Sequence, residues 1–252
     1  MQTAIQEEGE FKYIESGGSG ETIVMLHGLF GALSNFKSVL EGLGSEYNVV
    51  IPLLPIFDMP IRQLGVGGLV EFVDRFVEHK NWERVHVLGN SLGGHVALLY
   101  VLNHPNRALS LTLTGSSGLY ESSFGSTMPK RGNYEYVKER TGLTFYDPKM
   151  ATKELVDEVF AILNDRDKAI RVIVAAKSAV RHNLSDRLHE INCPTCLIWG
   201  MQDTITPAFV ADQFHEGIPH SEVHLIDKCG HAAMMEKPEE FNTVLSSFLA
   251  RL

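Results

Sequence analysis

The stretch RVHVLGNSLGGHVALLYVLNH, residues 84–104, restricts the possible folds of this chain more than any other. A β-branched apolar run ends at Gly89, and a second apolar run opens at Leu92 and continues until Pro105 stops it. Gly89, Gly93 and Gly94 weaken any helix or strand interior, so they serve geometry instead of local stability. A strand that turns abruptly into a helix needs small residues on both flanks of the turn. The residue at the corner, Ser91, is then thrust beyond the sheet edge at the positive end of the helix. Strand, G-x-S-x-G and helix together predict a corner that presents a nucleophile.

Apolar β-branched runs alternate with helical patterns over most of the 252 residues. EFKYIE, ETIVMLHG, YNVVIPLLP, RVHVLGN and ALSLTLTG read as strands, and SGGSG between the first two reads as a hairpin turn. Leu69, Val70, Val73, Phe76 and Val77 share one helical face. From about 118 to 187 the strand pattern stops. Leu155, Val159, Ile162 and Leu163, then Ile170, Ile173 and Val174, follow helical spacing. The alternation resumes with TCLIWG, a helix near 207–215, SEVHLID and a final helix within 238–251. Such an order predicts an α/β fold: a mostly parallel sheet with helices on both faces. The expected division is a core of residues 1–117 and 188–252 and a helical cap of 118–187 over the sheet edge where ligands bind.

A serine hydroxyl is a poor nucleophile without a base. His231 follows the strand-like EVHLID, and Asp203 follows CLIWG, so each falls on a loop at a strand end. Ser91, His231 and Asp203 are the expected catalytic residues: nucleophile, general base, and the acid that orients the base. The developing oxyanion needs donors. HGLFGALSNF leaves the early strand TIVM and offers the Leu29 amide, with Phe30 as the alternative. Leu92, next to the nucleophile, offers the second. Asn90 either polarises a substrate group or stabilises the turn.

HGLFG, GNSLGG, WGMQDTITP and CGHAAMMEKPEEF, in this order, resemble the α/β-hydrolase superfamily. The resemblance implies the α/β-hydrolase fold, a single core with a lid, a Ser91–Asp203–His231 triad in the chain order of that fold, and an acyl-enzyme reaction that uses no cofactor or metal. Relatives with Asp at the position of Ser91 are haloalkane dehalogenases and epoxide hydrolases, so neither activity is expected. GNSLGGH with DKCGH and EKPEEFN is also similar to the meta-cleavage-product hydrolases, which cut carbon–carbon bonds in ring-opened aromatic catabolites. That group usually places Trp after the catalytic His, where this chain has Ala232, and Ser-Gly-Pro after His-Gly, where it has Leu29, Phe30 and Gly31. The expected activity is therefore a carboxylesterase on small, largely apolar esters. Carbon–carbon hydrolysis and a hydrolase-like receptor with slow turnover stand as alternatives. Phe30, Leu119, Tyr120, Phe124 and Met234 are the expected pocket residues.

A net charge of −9 repels phosphate backbones, so nucleic acid is not an expected partner. The polar, acidic N-terminus lacks the pattern of a signal peptide, and no apolar run is long enough for a membrane span, which predicts a cytoplasmic protein. Cys193, Cys196 and Cys229 read as buried structural thiols, because the single CPTC pair leads into a strand. His215, His220 and His224 lack metal-ligand spacing, so no metal is expected.

Overall fold

In the computed structural model, residues 4–31, 36–120 and 132–252 are described. Eight strands are formed: β1 (Gln6–Glu8), β2 (Phe11–Glu15), β3 (Thr22–Leu26), β4 (Asn48–Pro52), β5 (Val85–Asn90), β6 (Ala108–Thr114), β7 (Thr195–Gly200) and β8 (Ser221–Ile226). They make one sheet in the order β1-β2-β4-β3-β5-β6-β7-β8. β1, β2 and β4 pair antiparallel, and every pairing from β4 to β8 is parallel. From β3 the chain passes to β4 on one side and then returns to β5 on the other. The crevice at the carboxyl ends of β3 and β5 is thus the switch point at which open α/β sheets bind ligands.

Strand parity explains the continuous apolar runs. On β3, Val24 and Leu26 face one core while Ile23 and Met25 face the other; on β7, Leu197 and Trp199 oppose Cys196 and Ile198. A sheet covered on both faces has no polar side to alternate with. Helices α1 (Lys37–Leu43) and α9 (Pro238–Leu249) cover one face. Helices α2 (Val66–His79), α3 (Leu92–Asn103) and α7 (Phe209–Gly217) cover the other. All residues of α3 from Leu92 to Leu102 are buried, which accounts for its lack of a polar stripe.

The hairpin expected across SGGSG does not form. β2 pairs with β1 and β4, whereas β3 lies between β4 and β5. The glycines instead carry the chain across the start of β4: a Cβ on Gly18 would lie 2.1 Å from the Tyr47 carbonyl oxygen. Parallel neighbours on both edges keep every residue of β3 buried, which a terminal hairpin could not do. The chain leaves β6 and reaches β7 through helices α4 (Tyr134–Gly142), α5 (Lys153–Asn164) and α6 (Arg166–Arg181). Where it departs and returns, the two stems are joined: Leu184 N donates to Gly118 O at 2.9 Å, and Asn183 Nδ2 to Leu119 O at 2.8 Å. The three cysteines are buried and unbridged. Among the described residues, no helix is long and apolar enough to cross a membrane.

The junction of β3, β5 and α3 has no room for side chains. A Cβ on Gly93 would lie 2.0 Å from Leu26 O, and one on Gly89 would lie 2.3 Å from Gly93 O. Gly93→Ala is expected to lower stability by about 3 kcal/mol or more, because backbone must move to relieve the overlap. Chemical denaturation of the two proteins measures the difference.

Candidate active site

Ser91 sits between β5 and α3 with φ 55° and ψ −121°, a left-handed conformation that a non-glycine residue adopts only under constraint. The constraint is the close packing of Gly89 against Gly93. Asn90, buried behind Ser91, donates from Nδ2 to Thr114 O at 3.0 Å and to His231 O at 3.3 Å. It braces the corner and ties it to the His231 main chain, which favours the turn-stabilising alternative for this residue.

His231 follows β8 on a loop, and Asp203 follows β7. His231 Nδ1 lies 2.9 Å from Asp203 Oδ2. With Nδ1–H donating to the carboxylate, Nε2 of the neutral ring is left as the proton acceptor. Asp203 is 4 % exposed and His231 6 %, so the pair is withdrawn from water. The second carboxylate oxygen accepts from the amides of Ile205 at 2.8 Å and Thr206 at 2.9 Å. Thr206 Oγ1 donates to Asp203 Oδ2 at 2.8 Å and lies 3.2 Å from His231 Nδ1. Burial by itself raises the Asp203 carboxyl. The neighbouring His231 and these hydrogen bonds outweigh it and hold the group below the ordinary carboxylate range. Gly115, at φ +51°, passes so close to the ring that a Cβ there would lie 2.8 Å from His231 Nδ1.

The loop after β3 faces Ser91. A Cβ on Gly28 would lie 3.2 Å from the Ser91 Cβ. The loop is held by His27, which is buried: Nδ1–H donates to Gly28 O at 2.8 Å and Nε2 accepts from Leu54 N at 3.0 Å. Burial pushes the His27 ring below its ordinary range, partly countered by the Gly28 carbonyl, so it stays neutral and keeps both bonds. Among the described residues, neither the Leu29 nor the Leu92 amide donates to a backbone carbonyl outside helix and strand bonding. Leu92 opens α3, where the first amides lack intrahelical acceptors.

Ser91, His231, Leu29 and Leu92 all line one cavity of about 270 Å³. The Ser91 hydroxyl and the imidazole share it without a mutual hydrogen bond among the described residues. Its walls come largely from α4 to α6 and are mostly apolar, with Val137, Phe145, Leu155, Val159 and Val172 among them. Arg140 and Lys177 also line it.

Of the expected pocket residues, Phe30 lines the cavity. The structure places three others elsewhere. Met234 is fully buried on the α1–α9 face, and its neighbour Met235 takes the cavity side of the short helix α8 (Ala233–Glu236). Leu119 packs against the core below the stem of the helical segment. Tyr120 is 38 % exposed and stacks edge-on against Phe209, ring centres 5.4 Å apart. Phe124 lies outside the described residues. Thr206, His27 and Gly115 escaped the sequence reading. Only Thr206 had a local signal: Asp203 three residues before it forms an Asx-type turn.

Among the described residues, one group of metal-capable side chains gathers: Cys196, Glu222 and His224. It lies on the β7–β8 face, away from the cavity. Arg251 holds Glu222 at 2.6 Å and His224 contacts the same carboxylate at 2.9 Å, so the acid is already engaged.

The family model of the alpha/beta hydrolase family matches residues 23–244. The chain belongs to this family and is a hydrolase. A 2-hydroxy-6-oxononadienedioate/2-hydroxy-6-oxononatrienedioate hydrolase of Cupriavidus pinatubonensis is 30% identical over 93% of this chain and 89% of its own. The monoacylglycerol lipase ABHD6 of Bos taurus is 29% identical over 97% of this chain and 80% of its own. Among solved structures, the alpha/beta hydrolase enzyme MGS-MChE2, from a metagenome of sediments of the lagoon of Mar Chica, is 40% identical. It covers 98% of each chain with a TM-score of 0.81.

The polar network of the hydrolase predicts its stability in two ways. Thr206→Val removes a donor to a buried carboxylate and is expected to cost about 1.5–3 kcal/mol at neutral pH. Because the Asp203 pKa is depressed, that contribution is present above the ordinary carboxylate range and is lost as pH falls through the lowered pKa. The variant's deficit in denaturation midpoint should therefore shrink in acid. His95 on α3 is fully buried with Nε2–H donating to His182 O at 2.8 Å, and burial pushes it down to about 4. The unfolded chain binds this proton more readily, so stability on the order of 3 kcal/mol is present above the ordinary histidine value near 6.5 and lost toward pH 4. His95→Asn should flatten stability against pH across that interval.

Proposed function

We propose that Ser91 attacks a carbonyl carbon of the substrate, with His231 as general base and Asp203 orienting it. In this reading the Leu29 and Leu92 amides receive the oxyanion, and residues 118–187 act as the cap that shuts water out. The bond broken joins the carbonyl to carbon, as in the dienedioate hydrolases to which this chain is similar. The supporting observation is the pair of cations, Arg140 and Lys177, on an otherwise largely apolar cavity wall. A conjugated, carboxylate-bearing chain would use both kinds of surface. A neutral ester would not use the cations.

In the first half-reaction the Ser91 oxygen bonds to the carbonyl carbon and its proton passes to His231 Nε2. The carbon–carbon bond then breaks. Its electron pair moves into the conjugated carboxylate-bearing fragment, which takes the proton back at carbon from His231. Water, deprotonated by His231, then hydrolyses the acyl ester on Ser91 and restores the free serine.

Ester hydrolysis is the second reading, and it uses the same first steps with oxygen as the leaving atom. Ala232 after His231, the apolar walls and the likeness to a monoacylglycerol lipase favour it. A purified sample assayed with 2-hydroxy-6-oxo-dienoates and with p-nitrophenyl esters of graded length separates the two. A dienoate kcat/KM at least 100-fold above that for any ester is expected. The reverse ratio selects the esterase, and a single burst without turnover selects a receptor. On the preferred substrate, Ser91→Ala is expected to lower kcat by about 10⁴-fold or more while keeping the fold.

A further inference from the structure

The cavity wall and the His231 loop are fastened to each other by one main-chain bond and at one side chain. His231 N donates to Thr144 O at 2.7 Å. Gly230 allows this approach, since a Cβ there would lie 2.6 Å from Thr144 O and 2.8 Å from Phe145 Cα. Thr144 and Phe145 themselves line the cavity. The adjoining amides all converge on the Glu236 carboxylate. Tyr146 N reaches Oε2 at 3.0 Å, Asp147 N reaches Oε1 at 2.8 Å, and Gly230 N reaches Oε2 at 2.7 Å. Three main-chain donors, two from residues 146–147 and one from residue 230, thus share one acceptor at the end of α8.

We propose that Glu236 is a positioning residue that keeps the Thr144–Asp147 wall in register with the His231 loop. A carboxylate accepts such bonds more strongly than a neutral group, and its two oxygens divide the three donors without leaving any unpaired. A hydrophobic contact could join the two segments but could slide. Three directional bonds specify one register, and a shift of about 1 Å at this joint would move the imidazole relative to the Ser91 hydroxyl. The same tether makes the shape of the substrate-facing wall depend on the loop that carries the base. The catalytic consequence rests on the Ser91–His231 reading above; the tether itself does not.

Residue-resolved amide hydrogen exchange by NMR, on the full chain, tests the tether without any substrate. In Glu236→Ala, the Tyr146, Asp147 and Gly230 amides are expected to exchange at least about tenfold faster, with β5 and β7 unchanged. Glu236→Gln discriminates further. Its single carbonyl oxygen replaces Oε2 while its NH2 faces Asp147 N–H, so Asp147 alone should lose protection. Kinetics normalised to the fraction of folded protein test the positioning. The rate at which a small fluorophosphonate labels Ser91 should fall about tenfold to 100-fold in Glu236→Ala and less in Glu236→Gln, at unchanged circular dichroism. KM for a cavity-filling substrate should rise more than KM for p-nitrophenyl acetate. Wild-type exchange at the three amides in Glu236→Ala overturns the tether. Faster exchange with wild-type labelling and KM overturns the positioning role. Wild-type protein that neither labels nor turns over refutes the Ser91 chemistry, and the exchange pattern still decides whether Glu236 fastens the joint. Should Glu236→Ala fail to fold, the Glu236→Gln pattern decides alone.

Discussion

The contact of the α3 backbone with the ends of β3 and β5 is the constraint from which the site follows. With no side chain at Gly89 or Gly93, helix and strands approach to distances at which a methyl group would overlap carbonyl oxygens. That approach holds Ser91 in a left-handed conformation and leaves its side chain nowhere to go but the crevice. The strain is local and sustained by the surrounding core: α3 is buried along its length, and β5 is buried at every residue. The same proximity sets Gly28 against Ser91, so the serine corner and the loop after β3 are positioned by one packing event.

Around this rigid corner the polar groups are satisfied in layers. His27 holds the β3 loop from inside, Asn90 binds the His231 carbonyl, and Asp203 accepts from two amides, a hydroxyl and the imidazole. A buried carboxylate without such partners would be neutral or would destabilise the fold. With them it stays charged beside the His231 ring. The His231 loop differs from the Ser91 corner because it leans on the wall segment between α4 and α5 as much as on the sheet. The placement of His231 is therefore shared between the core and the helices over the cavity, whereas that of Ser91 belongs to the core.

Much of the fold was legible because its signals are local. The strands from β2 to β8 fall in runs that the sequence marks as strands, and the turn into α3 carries its own glycines. The exception is instructive: SGGSG has hairpin composition, yet β2 and β3 are separated by β4. Turn composition reports that a chain can bend, not which edge the next strand joins. The pocket was the least legible part. Met234 and Met235 are adjacent and chemically identical, and only the orientation of a four-residue helix decides which one meets the cavity. Gly115 and Glu236 act through partners that are distant in the chain, as gap and carboxylate, so no local pattern reports what they do.

By itself the sequence determined the class of fold, the strained serine corner, and the placement of Asp203 and His231 at strand ends, because each of these depends on neighbours within a few positions. The tertiary structure alone decided that Asp203 and His231 meet at 2.9 Å, both withdrawn from water. It also decided which apolar side chains wall the cavity and that Glu236 gathers amides from both sides of the joint. These are distances between segments brought together by sheet order and helix packing, and no local propensity encodes a distance across the fold.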